Sequence, residues 1–288
     1  MALLSLTQVQ MGLHGAVGEI GVHHGMFAII VAHQARRGER VLAADLFNAL
    51  QHLNVDGSGS GDLRKFLRNT ARFGIPRDAL DLHVGLSTAL PLQYAQPLRL
   101  FSVDGGHTDA ITSSDLAWAA CNAMSGGIIM LDDWQHPGWP GVVAGAEKHW
   151  HCGARPLTPF AVLDGKVYFT TSKWFAKAYR DALMQDAFFG RRLALHGTVF
   201  GSEVLTKITG FFNITTRKDM ASEWRRVVLR SAARTRDTRS EAGGAEVPAW
   251  NSRMAAEAAL AKWLPPKPLV PLQDGLLKVM DGLWPQAR

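Results

Sequence analysis

The sequence predicts an α/β fold built on a mostly parallel sheet with helices on both faces. Three observations carry that prediction. Apolar runs of strand length alternate with helical patterns through the first two thirds of the chain, the rhythm of strands joined by crossover helices. The run Val17-Gly-Glu-Ile-Gly-Val-His-His-Gly25 reads as a strand, a tight glycine turn and the start of a helix. Much later, Phe160-Ala-Val-Leu-Asp-Gly-Lys-Val-Tyr-Phe-Thr170 reads as two short strands joined by an Asp-Gly turn, so an antiparallel pair finishes the sheet.

The elements follow in order. A first strand at 16–20 carries Glu19 near its end; Gly21 lets the backbone pass close to a ligand, and Gly25 lets the next helix (26–37) start hard against the strand. A second strand at 41–45 ends in Asp45, twenty residues past Gly25, where a nucleotide ribose requires a hydroxyl acceptor. The stretch Asn54-Val-Asp-Gly-Ser-Gly-Ser-Gly61 reads as a flexible surface turn in preference to an anion cradle. Asp62 caps a helix at 62–73 that Gly74 stops. Strands at 80–84, 98–103 and 127–131 follow, with a helix at 112–123 whose Cys121 is counted into the core. After the hairpin comes a helix at 174–184. The chain therefore divides into residues 1–185, which carry the sheet, and a partly helical extension at 186–288. That extension holds a linker near 239–248, a short helix at 253–262, a proline-rich bend and an apolar tail.

With 288 residues, 47% hydrophobic and 19% charged, the chain suits one large core with an appended part. The net charge of +6 is concentrated between Arg217 and Arg239, where a solvated helix face and linker explain it more simply than a phosphate-binding surface. Nucleic acid is not the expected partner. Two cysteines, Cys121 and Cys152, make no disulfide framework and no thiolate cluster. No apolar stretch approaches the ~20 residues that span a bilayer. The first residues lack the basic start and apolar core of a signal peptide, so a cytoplasmic protein is expected.

The chemistry concentrates at two strand ends. Asp104-Gly-Gly-His107 follows the fourth strand and Asp132-Asp133-Trp134 the fifth. Ligands of open parallel sheets bind outside the carboxyl ends of the strands, so three carboxylates and an imidazole share one rim. Crowded carboxylates call for a positive partner, and hard oxygen ligands suit Mg²⁺ or Mn²⁺. His107, with a resting pKa near ~6.5, is suited to take a proton from a hydroxyl. Each residue alone has a plainer reading: Asp104 as a turn cap, Asp132-Asp133 as a solvated loop, His107 as a structural histidine. Their joint placement favours a site. Trp134, His136, Trp139 and Trp150 would face a sugar or planar phenol, or simply pack. His149-Trp-His151-Cys152 matches no zinc spacing.

Glu19-Ile-Gly-Val-His-His-Gly25, Asp45, Val103-Asp-Gly-Gly-His-Thr108 and Gly126-Gly-Ile-Ile-Met-Leu-Asp-Asp-Trp134 resemble the successive motifs of class I S-adenosylmethionine-dependent methyltransferases. Within that superfamily they are most similar to the metal-dependent sugar O-methyltransferases of the macrocin and mycinamicin type. The resemblance spans roughly residues 15–175. It implies a Rossmann-like, doubly wound sheet of seven strands with an antiparallel last strand. It also implies that Glu19, Gly21 and Gly25 border the methionine end of the cofactor, and that Asp45 holds the ribose. Ser87, in His83-Val-Gly-Leu-Ser87, would lie near the adenine, and Asp104 would border both cofactor and metal. Asp104, Asp132 and Asp133 match the metal-ligand positions, and His107 the general base. The implied reaction is metal-assisted O-methylation of a small-molecule or sugar hydroxyl. The residues beyond Thr170 match none of its motifs, and no sizeable N-terminal domain is expected to cover the site.

Two other classes remain. A nicotinamide-dependent oxidoreductase shares the strand-turn-helix and Asp45, but the turn lacks Gly-x-Gly-x-x-Gly spacing and Glu19 would face a pyrophosphate. A non-catalytic binding protein on the same fold is the other. Nucleic-acid amino-methylation is disfavoured by the absence of an Asn/Asp-Pro-Pro-aromatic motif. The acceptor stays open among sugar, polyketide, catechol and peptide hydroxyls, and the tail with Trp263 and Trp284 is a surface for a homo-oligomer.

Overall fold

The computed structural model describes residues 1–153 and 155–208. The basic run 217–239, the linker 239–248, the helix at 253–262 and the tail with Trp263 and Trp284 lie outside the described residues.

Five strands run parallel: β1 (Ala16–Ile20), β2 (Val41–Asp45), β3 (Leu80–Val84), β4 (Leu98–Val103) and β5 (Ala123–Leu131). Then β6 (Thr158–Leu163) and β7 (Lys166–Thr170) form the expected hairpin, and β7 lies antiparallel between β5 and β6. Asp164 (φ 54°) and Gly165 (φ 75°) both take the left-handed conformation that a two-residue hairpin requires. The central strands β1 and β4 are buried along their whole length, which is why they are mostly apolar, with Glu19, Arg99 and Ser102 as the buried exceptions.

The seven expected strands are present, and two more follow. β8 (Leu193–Val199) and β9 (Ser202–Lys207) lie past residue 185 and join the same sheet, giving the order β3-β2-β1-β4-β5-β7-β6-β9-β8. β9 pairs in parallel with β6 and covers an edge that would otherwise be exposed. Their hairpin turn escapes sequence reading because Phe200 (φ 46°) takes the place usually held by Asn or Asp. The strain of a left-handed aromatic residue is offset by packing: the Phe200 ring stacks on Trp150 at 5.0 Å and meets the edge of Trp134 at 5.9 Å.

Six helices flank the described sheet: α1 (Ala2–Gln10), α2 (Met26–Ala32), α3 (Leu63–Arg72), α4 (Asp109–Asn122), α5 (Pro140–Cys152) and α6 (Lys173–Gln185). Asp62 caps α3 as expected, its carboxylate accepting the Lys65 N–H at 2.9 Å. α4 starts three residues earlier than its apolar pattern suggests, because the Thr108 hydroxyl accepts the Ile111 N–H at 3.3 Å and caps the helix. Cys121 is exposed, contrary to expectation. The buried stripe of α4 runs through Thr112, Asp115, Leu116, Ala119 and Ala120, and Cys121 lies off that face. None of these helices is long and apolar enough to cross a membrane.

The amino end of the sheet is tied by a buried ion pair. Arg99 of β4 is fully buried and donates to both Glu39 oxygens, from Nε at 2.8 Å and Nη2 at 2.7 Å. Its Nη1 donates to Gln8 Oε1 at 2.9 Å and Ser5 Oγ at 3.1 Å, which docks α1. Glu39 also accepts from the amides of Gly15 and Arg36, and these partners outweigh burial to hold its pKa below the usual range. Arg99→Ala leaves Glu39 buried without its main partner and is expected to destabilise the protein by about 3–5 kcal/mol. Urea denaturation checks this; an unchanged midpoint would make the network a passive contact.

Candidate active site

The sheet reverses its order between β1 and β4, and the site residues gather at the carboxyl ends of these strands and of β5. Asp104 and Asp132 each extend a strand by one residue: the Asp104 N–H donates to Ile20 O at 2.9 Å and the Asp132 N–H to Val103 O at 3.0 Å. Backbone pairing thus sets both carboxylates on one rim beside Glu19. Gly21 (φ 88°) has no room for a side chain, since a Cβ would lie 1.7 Å from the Asp104 carbonyl oxygen. The close approach inferred for Gly21 is therefore to the end of β4. Gly25 (φ 93°) packs against the ring of Phe66 on α3.

Glu19 is buried, and its Oε1 has no hydrogen-bond partner. Burial pushes its pKa up to about 8 against the pull of Lys166 and of the nearby Ser102. Asp104 is raised well above the usual carboxylate range by burial, then by the neighbouring Asp132 and Glu19. Asp132 forms an ion pair with Lys166, the first residue of β7.

His107 is held between two carboxylates. Its Nδ1 lies 3.1 Å from Asp56 Oδ2 and its Nε2 lies 2.9 Å from Asp133 Oδ2. Burial lowers its pKa, but the hydrogen bonds to Asp133 and Asp56 outweigh that and raise it. The ring stacks on Trp139 at 4.3 Å. Asp133 takes a left-handed conformation (φ 52°), and its pKa is lowered first by the hydrogen bond to His107. Burial works against Asp56, yet the amides of His107 and Ser58 and the Ser58 hydroxyl hold its carboxyl down to about 2.

Ligand atoms of Asp104, His107 and Asp133 all lie within 4.8 Å of one another, the group among the described residues that could hold a metal ion. Two carboxylate oxygens and one imidazole nitrogen suit a divalent cation such as Mg²⁺ or Mn²⁺. Of the three carboxylates expected on the rim, Asp104 and Asp133 therefore stand together with His107, and Asp132 stands beside them with Lys166. His149 does not join a cluster, and His151 and Cys152 are exposed.

Asp45 accepts the His23 N–H at 2.7 Å and the Phe47 N–H at 2.6 Å, one on each oxygen. Each oxygen keeps a lone pair, so the group still offers acceptors at the end of β2. The glycine-serine stretch is no free surface turn. A Cβ on Gly61 would lie 2.7 Å from Asp45 Oδ1, and Asp56 from the same stretch binds His107. Ser87 opens a short 3-10 turn after β3 and hydrogen-bonds the Asp115 carboxyl of α4, lowering its pKa against the stronger effect of burial. A Cβ on Gly105 would lie 2.6 Å from Asp115 Oδ2, so this acid sits beneath the turn that carries Asp104 and His107.

Sequence reading missed Asp56, Asp115 and Lys166. Asp115 left a usable signal, an acid on the apolar stripe of α4. Asp56 left none, since it lies in a turn where polar residues are ordinary, and Lys166 left none, since a lysine opening a strand beside a hairpin turn is equally ordinary. Trp134 and Trp150, candidates for a sugar-binding face, are taken up by packing around Phe200.

Residues 19–134 match the family model described as a methyltransferase domain. No curated protein matches the chain by sequence. Among solved structures the chain is similar to the O-methyltransferase NovP, at 16% identity and a TM-score of 0.48, over 60% of this chain and 78% of that one. It is also similar to the O-methyltransferase TomG from Streptomyces achromogenes, involved in tomaymycin synthesis and solved in complex with SAM. There the identity is 18% and the TM-score 0.41, over 59% of this chain and 79% of that one. An O-methyltransferase from Bacillus cereus, in complex with SAH, gives 16% identity and a TM-score of 0.44, over 59% and 80%.

Burial raises the Asp115 pKa to about 7, so the folded protein holds a proton that the unfolded chain releases near pH 4. Stability from this group is full below the unfolded pKa and falls as pH rises through the folded one. Asp115→Asn is therefore expected to lose less thermal stability than the parent between about pH 5 and about pH 8. Parallel melting curves that differ by a constant offset would contradict the assignment.

Proposed function

We propose that this chain is a class I S-adenosylmethionine-dependent O-methyltransferase acting on a hydroxyl of a small molecule or sugar, assisted by a divalent cation. The observation that carries this reading is the convergence of Glu19, Asp104, His107 and Asp133 at the carboxyl ends of β1, β4 and β5, with Asp45 at the end of β2. The match of residues 19–134 to a methyltransferase domain supports it. The orphaned Glu19 oxygen and the spare acceptors of Asp45 fit a cofactor with an ammonium at one end and ribose hydroxyls in the middle.

When bound, S-adenosylmethionine supplies an electrophilic sulfonium methyl, and a divalent cation held by Asp104, Asp132 and Asp133 would draw charge from the acceptor. The protein's own contribution is alignment and proton removal. Glu19 and the turn through Gly21 and Gly25 border the methionine end, Asp45 holds the ribose, and Ser87 lies toward the adenine. Asp56 accepts a hydrogen bond from the Nδ1–H of His107 and so orients the ring, while Trp139 covers one face of it. His107 Nε2, once freed from Asp133, would take the proton of the acceptor hydroxyl. Asp56 is a positioning residue in this scheme. Acceptor choice is assigned to the loops around the rim and to the C-terminal extension beyond residue 185.

Calorimetric titration with S-adenosylhomocysteine, with NAD as the comparison, tests the cofactor class. Micromolar binding of the former alone supports the proposal, and binding of NAD alone replaces it with the oxidoreductase reading. His107→Ala is expected to lower kcat by roughly 10²–10⁴-fold with S-adenosylhomocysteine affinity unchanged. Unaltered turnover would remove His107 from the mechanism. Asp104→Asn should weaken Mn²⁺ binding measured by calorimetry, and an unaffected titration would take Asp104 out of the ligand set.

A further inference from the structure

Lys166 is the residue of this site whose purpose the mechanism leaves unstated. It opens β7, its side chain is 11% exposed, and its ammonium pairs with Asp132. The same ammonium lies 4.3 Å above the ring of Phe27, in the first turn of α2 just beyond the glycine turn. Lys166 lowers the pKa of Glu19, Asp104 and Asp133, so one positive charge is shared among the acids of the rim. Arg36 and Arg99 are engaged with Glu39, and Arg40 with Asp81, at other places in the fold.

Such a rim has a chemical bias. Its carboxylates attract the ammonium at the amino-acid end of S-adenosylmethionine but repel the α-carboxylate beside it. A ligand carrying both charges needs a cation within reach of the acid that takes its ammonium. We propose that Lys166 binds the α-carboxylate of the cofactor's amino-acid end, giving up Asp132 to do so. This inference rests on the methyltransferase reading.

The exchange is physically sound. A buried ammonium that trades one carboxylate for another is paired before and after, and the part-exposed Asp132 carboxylate it leaves keeps the hydrogen bond from the Asp133 N–H. The four-carbon stem of lysine swings a compact cation with three donors through such a distance without backbone motion. The Phe27 ring already holds the cation beside the α2 turn. Charge-assisted hydrogen bonds of this kind are about twice as strong as neutral ones, enough for the contact to govern affinity.

The test compares S-adenosylhomocysteine with its decarboxylated analogue, in which hydrogen replaces the α-carboxylate, by calorimetry in metal-free buffer. The parent protein is expected to prefer S-adenosylhomocysteine by about tenfold or more. Lys166→Met brings the ratio to about one by weakening S-adenosylhomocysteine only, and Lys166→Arg keeps the preference. A ratio near one in the parent protein, or a preference that survives in Lys166→Met, overturns the proposal. Because loss of a buried cation can unfold the chain, Asp132→Asn is the second variant. It removes the competitor for Lys166, so affinity for S-adenosylhomocysteine rises while that for the analogue does not; an equal change for both overturns the assignment. If the folded parent protein binds neither ligand, the methyltransferase reading itself fails, an outcome distinct from a lost ratio.

Discussion

Carboxylates crowded at the ends of adjacent parallel strands are the constraint around which this molecule is arranged. Parallel pairing brings the residues after β1, β4 and β5 to one rim, and this chain places Glu19, Asp104, Asp132 and Asp133 there. Like charges at that spacing cannot all ionise, so the site answers with protonation and with cations. Glu19 is pushed to about 8 and Asp104 well above its usual range, while Lys166 and His107 each take a carboxylate. On the proposed function, a surplus of negative charge balanced by one lysine and one imidazole suits a ligand that brings positive charge with it. A sulfonium with an ammonium tail and a divalent cation both satisfy that requirement.

The remainder of the fold keeps this rim in place. Gly21 is compressed against the Asp104 carbonyl, so the β1–α2 turn and the end of β4 move as one piece. Asp115 lies beneath the 104–107 turn and reaches Ser87 across from α4, which links two neighbouring loops through a buried carboxyl. At the opposite end of the sheet, Arg99 and Glu39 join α1, the segment before β2 and β4. Binding chemistry and structural polarity therefore sit at opposite ends of the same strands. At the amino end Arg36 and Arg99 meet Glu39, and at the carboxyl end several acids share Lys166 and His107.

Much of this was legible before any coordinates. The parallel core strands announce themselves because a strand buried on both faces is mostly apolar, as β1 and β4 are apart from Glu19, Arg99 and Ser102. The β6–β7 hairpin follows from Asp164-Gly165, since few residue pairs accept two left-handed conformations. The β8–β9 hairpin was illegible for the same reason in reverse: Phe200 occupies such a position only because Trp150 and Trp134 pack around its ring. α1 leaves no such local signal, because its stabilising contacts, Gln8 and Ser5 on Arg99, join residues more than ninety positions apart.

Residue type and local period determined the strands, the capped start of α3, and the presence of Asp104, His107, Asp132 and Asp133 just past strand ends. Those are local properties, carried by neighbours within a turn of helix or a strand. Which acid meets which base was decided only by tertiary structure. Asp56 reaches His107 from fifty-one residues away, and Lys166 reaches Asp132 from thirty-four. An ion pair in a partly buried site depends on distance and desolvation. Those quantities exist only once the strands have been laid side by side.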